Sequence, residues 1–188
     1  MKKSKISILL ILLTIALLSM FGCVQNKGGE APKGNDEIAQ KTSESFLTDI
    51  YEVKDYEMYE KCLATLDKNP AEPEKAYEEY RQKYNKNINA SVLDNLFENG
   101  YAYYMDSVAY EHGFTFNVKS IDLKVTNDKE NVVAYRYTVN LECVSDSKTT
   151  DVTESGTIQL EITDKEEPEI NFFKMDHTED YKPIANSL

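Results

Sequence analysis

The hydrophobic periodicity of the chain changes at Gly113, and this change limits the fold more than any other feature. Before Gly113, apolar residues recur every three or four positions, which is the spacing of amphipathic helices. After Gly113, apolar and polar residues alternate, which is the spacing of strands with one buried face. Because the helical patterns all precede the strand patterns, the order predicts an α+β domain and not an alternating α/β domain.

Four helices are predicted between Asp36 and Gly113. The first carries its apolar stripe on Ile38, Thr42, Phe46, Ile50 and Val53. Asp55 can cap the second helix, Pro73 suits the first turn of the third, and Asn89 can cap the fourth. The fourth apolar pattern continues to Gly113, a residue type that commonly ends helices, so we expect one long helix there.

Four strands are predicted after Gly113, and short polar turns join them. The second strand has its apolar face on Val133, Tyr135, Tyr137, Val139, Leu141 and Cys143. The first changes phase near Lys119 and Ser120, which predicts a β-bulge, and Gly156 in the third suits a bend. Strands with one polar face and short connections form antiparallel sheets. We expect a curved sheet of about four strands, with the helices packed on its apolar face, in one domain over residues 36–176. Residues 177–188 are predicted to be a loose tail.

The first residues have the features of an export signal. Three lysines occur within the first five residues, and no acidic residue precedes Glu30. The apolar run Ile6–Phe21 has 16 residues, fewer than the roughly 20 that a transmembrane helix requires. A basic start, a short apolar stretch and a small residue before a cleavage point are typical of secretory signals. Here the small residue is Gly22, and Cys23 follows it.

The segment Leu18–Cys23 resembles the lipobox of bacterial lipoproteins, with Met20 where that motif usually has leucine. In that family the cysteine thiol receives a diacylglycerol, and cleavage makes the lipidated cysteine the new N-terminus. The resemblance implies that residues 1–22 are a signal peptide, that Cys23 is lipidated, and that residues 23–35 are a flexible tether. The domain would then lie on the extracytoplasmic face of the cell membrane. The alternative is an uncleaved anchor helix, which leaves the domain on the same side.

The charge of the mature chain limits its partners. Removing residues 1–22 takes away three of the 21 basic residues and none of the 33 acidic ones, which leaves a net charge of −15. Such a surface repels nucleic-acid phosphates and anionic lipid head groups, so neither is expected as a ligand. It favours a cationic partner, or it serves to keep the protein soluble.

The remaining cysteines and the histidines give no metal motif. Cys62 and Cys143 either form a disulfide outside the cell or each fill a small buried apolar position. There is no CxxC motif, and His112 and His177 are far apart in sequence. We therefore predict neither a metal nor any other cofactor.

The order of elements between Asp36 and Met175 resembles the nuclear transport factor 2-like superfamily, also called cystatin-like. Its members have N-terminal helices followed by a long, bulged antiparallel sheet, and they include ketosteroid isomerase, scytalone dehydratase and many non-catalytic exported domains. The resemblance implies a pocket between the sheet and the helices, lined here by Tyr101, Tyr104, Tyr135 and Tyr137. The alternative is that these tyrosines are ordinary core residues, which bury the ring and direct the hydroxyl to a polar group.

An enzyme of the isomerase or dehydratase type would need a carboxylate in that pocket. Glu154 has the inward parity but lies near a strand end, whereas Asp106 and His112 form either a dyad or an ordinary helix end. The acidic group Asp176, His177, Glu179 and Asp180 lacks the spacing of a known calcium loop, and we interpret it as a solvated tail.

Three functions remain after these exclusions. The sequence favours a non-catalytic domain that binds a ligand or an extracellular protein or peptide partner at the cell surface. One alternative is an isomerase-like or dehydratase-like enzyme that uses the tyrosine-lined pocket. The other is an immunity or sequestering lipoprotein that captures cationic peptides through its negative charge.

Overall fold

The computed structural model describes residues 34–68, 73–129, 131–145, 148–162, 167–176 and 181. This part of the chain contains five α-helices, one 3₁₀ turn (η1) and four strands. In chain order they are α1 (Gly34–Tyr51), α2 (Glu57–Lys68), α3 (Pro73–Gln82), α4 (Ala90–Glu98), η1 (Tyr101–Tyr103), α5 (Tyr104–His112), β1 (Thr115–Lys129), β2 (Val132–Ser145), β3 (Lys148–Glu161) and β4 (Glu169–Met175). The strands form one curved, open antiparallel sheet in the order β1-β2-β3-β4. The predicted α+β fold is confirmed.

The predicted signal peptide, the lipidation site Cys23 and most of the tether lie outside the described residues. Among the residues that the structure describes, no helix combines the length and apolar character that a membrane span requires.

Capping residues begin and end the helices largely where the sequence predicts. The Asp55 side chain accepts a hydrogen bond of 3.3 Å from the Glu57 amide, and the Asn89 side chain accepts one of 3.0 Å from the Ser91 amide. Gly113 ends α5 with a φ of 68°, in the left-handed region that glycine adopts without steric cost. Each of these three assignments is confirmed.

The prediction of one long fourth helix is wrong. Gly100 has a φ of 77°, and this left-handed residue interrupts the helical hydrogen bonding between α4 and η1. The helical pattern is therefore divided into α4, η1 and α5, and α5 begins at Tyr104. Within η1, Tyr101 is half-buried and Tyr103 is exposed.

The sheet buries the predicted face of β2. All six of its predicted inward residues, Val133, Tyr135, Tyr137, Val139, Leu141 and Cys143, are at most 3% exposed. The predicted bulge in β1 is confirmed by a register shift between Val118 and Ser120, and a second shift lies between Val125 and Asn127. Bulges increase the local twist of a strand, which suits the curvature of this sheet.

Helix α1 supplies one side of the core. Its buried face is rotated relative to the predicted stripe, because Ile38 is 49% exposed whereas Leu47 and Tyr51 are completely buried. After the helix, Val53 exchanges two backbone hydrogen bonds of 2.9 Å with Phe116, which fixes the end of α1 to the start of β1.

Candidate functional site

An open groove on the helical side of the domain is lined almost entirely by aromatic rings. We call it the aromatic groove, and it has a volume of about 330 Å³. Its lining consists of Tyr59, Cys62 and Leu63 from α2, Tyr77 and Tyr80 from α3, Phe97 from α4, and Tyr103 from η1. Tyr77 and Tyr103 are 39% and 37% exposed, which is high for rings of this size.

The rings of the aromatic groove hold one another in place. The Tyr77 and Phe97 centroids are 4.8 Å apart in an edge-to-face arrangement, and the Tyr59 and Tyr103 centroids are 6.4 Å apart. Tyr59 also packs edge-to-face on Tyr110, which is 44% exposed and extends the aromatic surface beyond the groove. Such pairs add stability beyond area burial, so this surface is preorganised.

A buried carboxylate lies behind the aromatic groove. The Tyr80 hydroxyl donates a 2.5 Å hydrogen bond to Asp106, which is 5% exposed, and the Lys83 ammonium lies 3.9 Å from the same carboxylate oxygen. Burial raises the pKa of Asp106, while Lys83 and the Tyr80 hydrogen bond oppose that rise. The hypothetical partner His112 instead lies beside Phe114, with 5.4 Å between their ring centroids. Asp106 thus lies behind the groove and holds the lining residue Tyr80.

We expect Asp106→Asn to stabilise the domain by an amount that increases with pH. A carboxyl group with a raised folded-state pKa binds its proton more tightly when folded, so its stability contribution is present at acidic pH and is lost as pH rises through that pKa. The asparagine cannot ionise and still accepts a hydrogen bond from Tyr80. The measurement is urea unfolding of both proteins between about pH 3 and about pH 8. If the stability gain of the variant instead falls as pH rises, the pKa of Asp106 is lowered in the folded state. The attraction of Lys83 then outweighs the effect of burial.

The four tyrosines predicted to line an internal pocket differ in burial, although Tyr101 and Tyr137 both pack against Phe173, with centroid distances of 6.0 and 5.9 Å. Tyr135 and Tyr137 are 3% and 0% exposed, and both belong to the core between helices and sheet. The Tyr137 hydroxyl is 2.9 Å from that of Tyr51, and burial raises the pKa of both phenols, so both remain protonated. Tyr104 packs partly buried against the core. Tyr101 lines a second groove. Tyr135 and Tyr137 are buried among core residues.

Tyr101 contributes to a second, more polar groove of about 380 Å³ between α4 and β4. Its polar lining consists of Ser91, Asn95, Asn99, Asn171 and Lys174. It contains no acidic side chain among the described lining residues, and its amides suit hydrogen bonding more than catalysis.

Glu154 is the carboxylate that an isomerase-like mechanism could use, and its complete burial could not be predicted from the sequence. It lies opposite Val139 in the sheet, faces the interior and is 0% exposed. One of its carboxylate oxygens accepts a 2.6 Å hydrogen bond from the Tyr181 hydroxyl. Tyr181 falls in the segment predicted to be a loose tail, yet it is only 4% exposed, and its ring packs edge-to-face on Phe116. The other residues of that segment lie outside the described part of the chain.

The thiols and acidic residues form no further site in the described part of the chain. Cys143 is a free thiol with 0% exposure, and burial raises its pKa to about 11. The structure contains no Cys62–Cys143 disulfide, and Cys62 lines the aromatic groove. No cluster suited to a metal ion occurs among the described residues. Asp176 is paired with Arg136 at 2.5 Å, and residues 177–180 lie outside that part.

A comparison of the chain with known protein families, with curated proteins and with solved structures finds no match. The site must therefore be interpreted from its own chemistry. The aromatic groove does not follow from the sequence, although its tyrosines on α2 and α3 recur at helical spacing. That spacing is the same for buried and for exposed rings, and the break at Gly100 precedes Tyr103 without a signal of its own.

Proposed function

We propose that this protein is a lipid-anchored lipoprotein of the extracytoplasmic membrane face, and that its domain binds a partner without catalysing a reaction. The observation that carries the binding role is the aromatic groove, which is open to solvent. The anchoring role rests on the signal-like N-terminus and on the resemblance of Leu18–Cys23 to a lipobox.

The groove has the composition of a binding surface. Tyrosine is enriched where proteins contact partners, because its ring buries a large area at a small cost in side-chain entropy and its hydroxyl can still form hydrogen bonds. Here that cost is reduced further, since Tyr59 and Tyr77 are already held by neighbouring rings. A partner would therefore gain apolar contact with little ordering of the surface.

The enzymatic alternative has one supporting feature and one opposing feature. Glu154 is a buried carboxylate on the inward face of the sheet, as an isomerase-like mechanism requires. Its carboxylate, however, is engaged by the Tyr181 hydroxyl, and the neighbouring Tyr137 hydroxyl is engaged by Tyr51. A substrate would have to displace core side chains to reach Glu154. The binding role needs no such rearrangement.

We expect Cys23→Ala to abolish lipid anchoring. The wild-type protein should lose residues 1–22, gain a diacylglyceryl mass and partition with the membrane, because two acyl chains suffice for stable anchoring. The alanine variant has no thiol to modify and should keep its leader. Intact mass and membrane fractionation measure both changes. If the two proteins have the same mass and fractionate alike, the anchoring part of the proposal is wrong.

We expect the double variant Tyr59→Ser, Tyr103→Ser to lose its partner at the cell surface. The measurement is chemical crosslinking on intact cells, followed by mass spectrometry of the proteins joined to the wild type and to each variant. Phe172→Ser is the matched control, because Phe172 is 45% exposed but lies on β4, outside the aromatic groove. A partner joined equally to all three proteins would contradict the assignment of the groove.

A further inference from the structure

We infer that the occupant of the aromatic groove is a cationic peptide segment, whose lysine or arginine side chain lies against the rings of Tyr59, Tyr77 and Tyr103. This inference rests on the proposed binding function and adds the chemistry of the partner. Its basis is the combination of solvent-accessible tyrosine rings with acidic residues beside them.

The ring faces supply the first part of the attraction. A π-system is negative on its face, so ammonium and guanidinium groups are attracted to tyrosine rings within about 6 Å of the centroid. The rings of the aromatic groove already contact two cations of the domain in that way. Arg81 lies 5.3 Å from the Phe97 centroid and 5.8 Å from that of Tyr77, and Lys83 lies 6.0 Å from that of Tyr80.

The domain's own cations do not cancel the negative charge at this site. Arg81 is bound to Asp94 at 2.7 Å, and Lys83 lies 3.9 Å from Asp106. Each of these two cations is thus paired with a carboxylate of the domain. An incoming cation would be attracted by other acidic residues around the groove.

Carboxylates reach the groove from more than one element. Glu60 directly follows Tyr59 on α2 and is exposed. Burial is the main cause that raises the pKa of the Tyr59 phenol and of the Cys62 thiol; Glu111 of α5 adds to the rise at Tyr59, and Glu79 of α3 adds to the rise at Cys62. The groove therefore has acidic residues beside it on three helices.

The size of the groove and the net charge of the chain agree with this occupant. A volume of about 330 Å³ is at the small end for ligand sites and suits one long side chain with its flanking backbone. The complete chain carries a net charge of −12, which accelerates encounter with a cationic partner at low salt. An anionic partner would be repelled by the same field.

The test measures binding of defined peptides to the full-length protein in a non-ionic detergent, by fluorescence anisotropy. The probe is a labelled octapeptide that alternates glycine with lysine and arginine, and the comparison peptide has acetyl-lysine and citrulline in place of the cationic residues. We expect the cationic peptide to bind at least about tenfold more tightly than the neutral one. The neutral peptide cannot form the two cation–π contacts and is not attracted by the field of the carboxylates.

Variants distinguish the groove from the general charge of the surface. Tyr59→Leu with Tyr103→Leu keeps apolar bulk but removes two π-faces, and we expect it to weaken cationic binding about tenfold. Phe172→Leu, outside the groove, should leave the affinity unchanged, and circular dichroism verifies that each variant is folded. Equal binding of both peptides would overturn the inference in favour of apolar docking. Binding that no groove variant weakens would overturn it in favour of general surface charge.

The outcome is independent of the crosslinking experiment. If Tyr59 and Tyr103 are required for crosslinking at the cell surface but the cationic peptide does not bind, the proposed function stands and the partner chemistry is wrong. If crosslinking does not depend on Tyr59 and Tyr103 and the cationic peptide does not bind, the groove itself is not the binding surface.

Discussion

Replacing Gly156 with alanine is expected to destabilise the domain by about 3 kcal/mol or more, because no space exists for a side chain at this position. A Cβ atom there would overlap the backbone carbonyl of Lys174 and the phenol of Tyr137. Tyr137 lies directly opposite Gly156 in the sheet, and its ring is stacked on Phe173 with a centroid distance of 5.9 Å. Neither the backbone of an adjacent strand nor a ring packed on both sides can move without cost.

The measurement is urea unfolding of Gly156→Ala and of Ser155→Ala, a neighbouring position at which a Cβ atom is already present. The Ser155→Ala control should lose little stability, because it removes only a long hydrogen bond of 3.3 Å to Asp176. Adding Tyr137→Phe to the glycine variant removes the overlapping hydroxyl oxygen but leaves the overlapping ring carbon Cζ, so the overlap is relieved only in part. The double variant should therefore be somewhat more stable than the sum of the two losses predicts. Equal stability of the two alanine variants would show that the close approach does not exist.

Gly156 also shows how far the sequence determines this fold. Its place in the third strand was predictable from alternation, and a bend was expected there. In the structure β3 continues through Gly156, and the glycine serves to admit the ring of Tyr137. The β2–β3 register decides which side chain of β2 lies opposite Gly156. No local pattern specifies that register to the residue.

The features that the sequence predicts well are those with a local cause. The caps at Asn89 and Gly113 follow from hydrogen bonding and φ preference within a few residues, and both are present. The inward face of β2 follows from strict alternation over a long strand. The bulge in β1 follows from the change of phase near Ser120. Each is determined by neighbours in sequence.

The features that the sequence missed depend on contacts between distant segments. A glycine within a helical pattern is often tolerated, so the break at Gly100 could not be separated from an ordinary helical glycine. Tyr103, which lines the aromatic groove, follows directly after that break. Glu154 has the inward position that its parity predicts, but the prediction that it lies near a strand end is wrong, because β3 is long and Glu154 lies in its middle, opposite Val139.

Tyr181 illustrates the same limit and gives the second large expected effect. One aromatic residue in a polar tail carries no periodic signal, yet its ring is 4% exposed. We expect Tyr181→Ala to destabilise the domain by about 3–5 kcal/mol, which is typical of removing a buried aromatic ring. Tyr181→Phe keeps the ring but takes a donor away from the buried Glu154 carboxylate, so a smaller loss of about 1–3 kcal/mol is expected.

Urea unfolding of the two Tyr181 variants separates these contributions. Tyr110→Ala is the control, because Tyr110 is 44% exposed, and the loss of its ring pairs with Tyr56 and Tyr59 should cost only about 1–2 kcal/mol. Repeating Tyr181→Phe in a Glu154→Gln background should give a smaller loss, since hydrogen bonds to a neutral acceptor are weaker than those to a carboxylate. If Tyr181→Ala is no more damaging than Tyr110→Ala, the tail does not hold Tyr181 against Glu154. The interior would then be accessible from that side, and the enzymatic alternative would regain the open carboxylate that it requires.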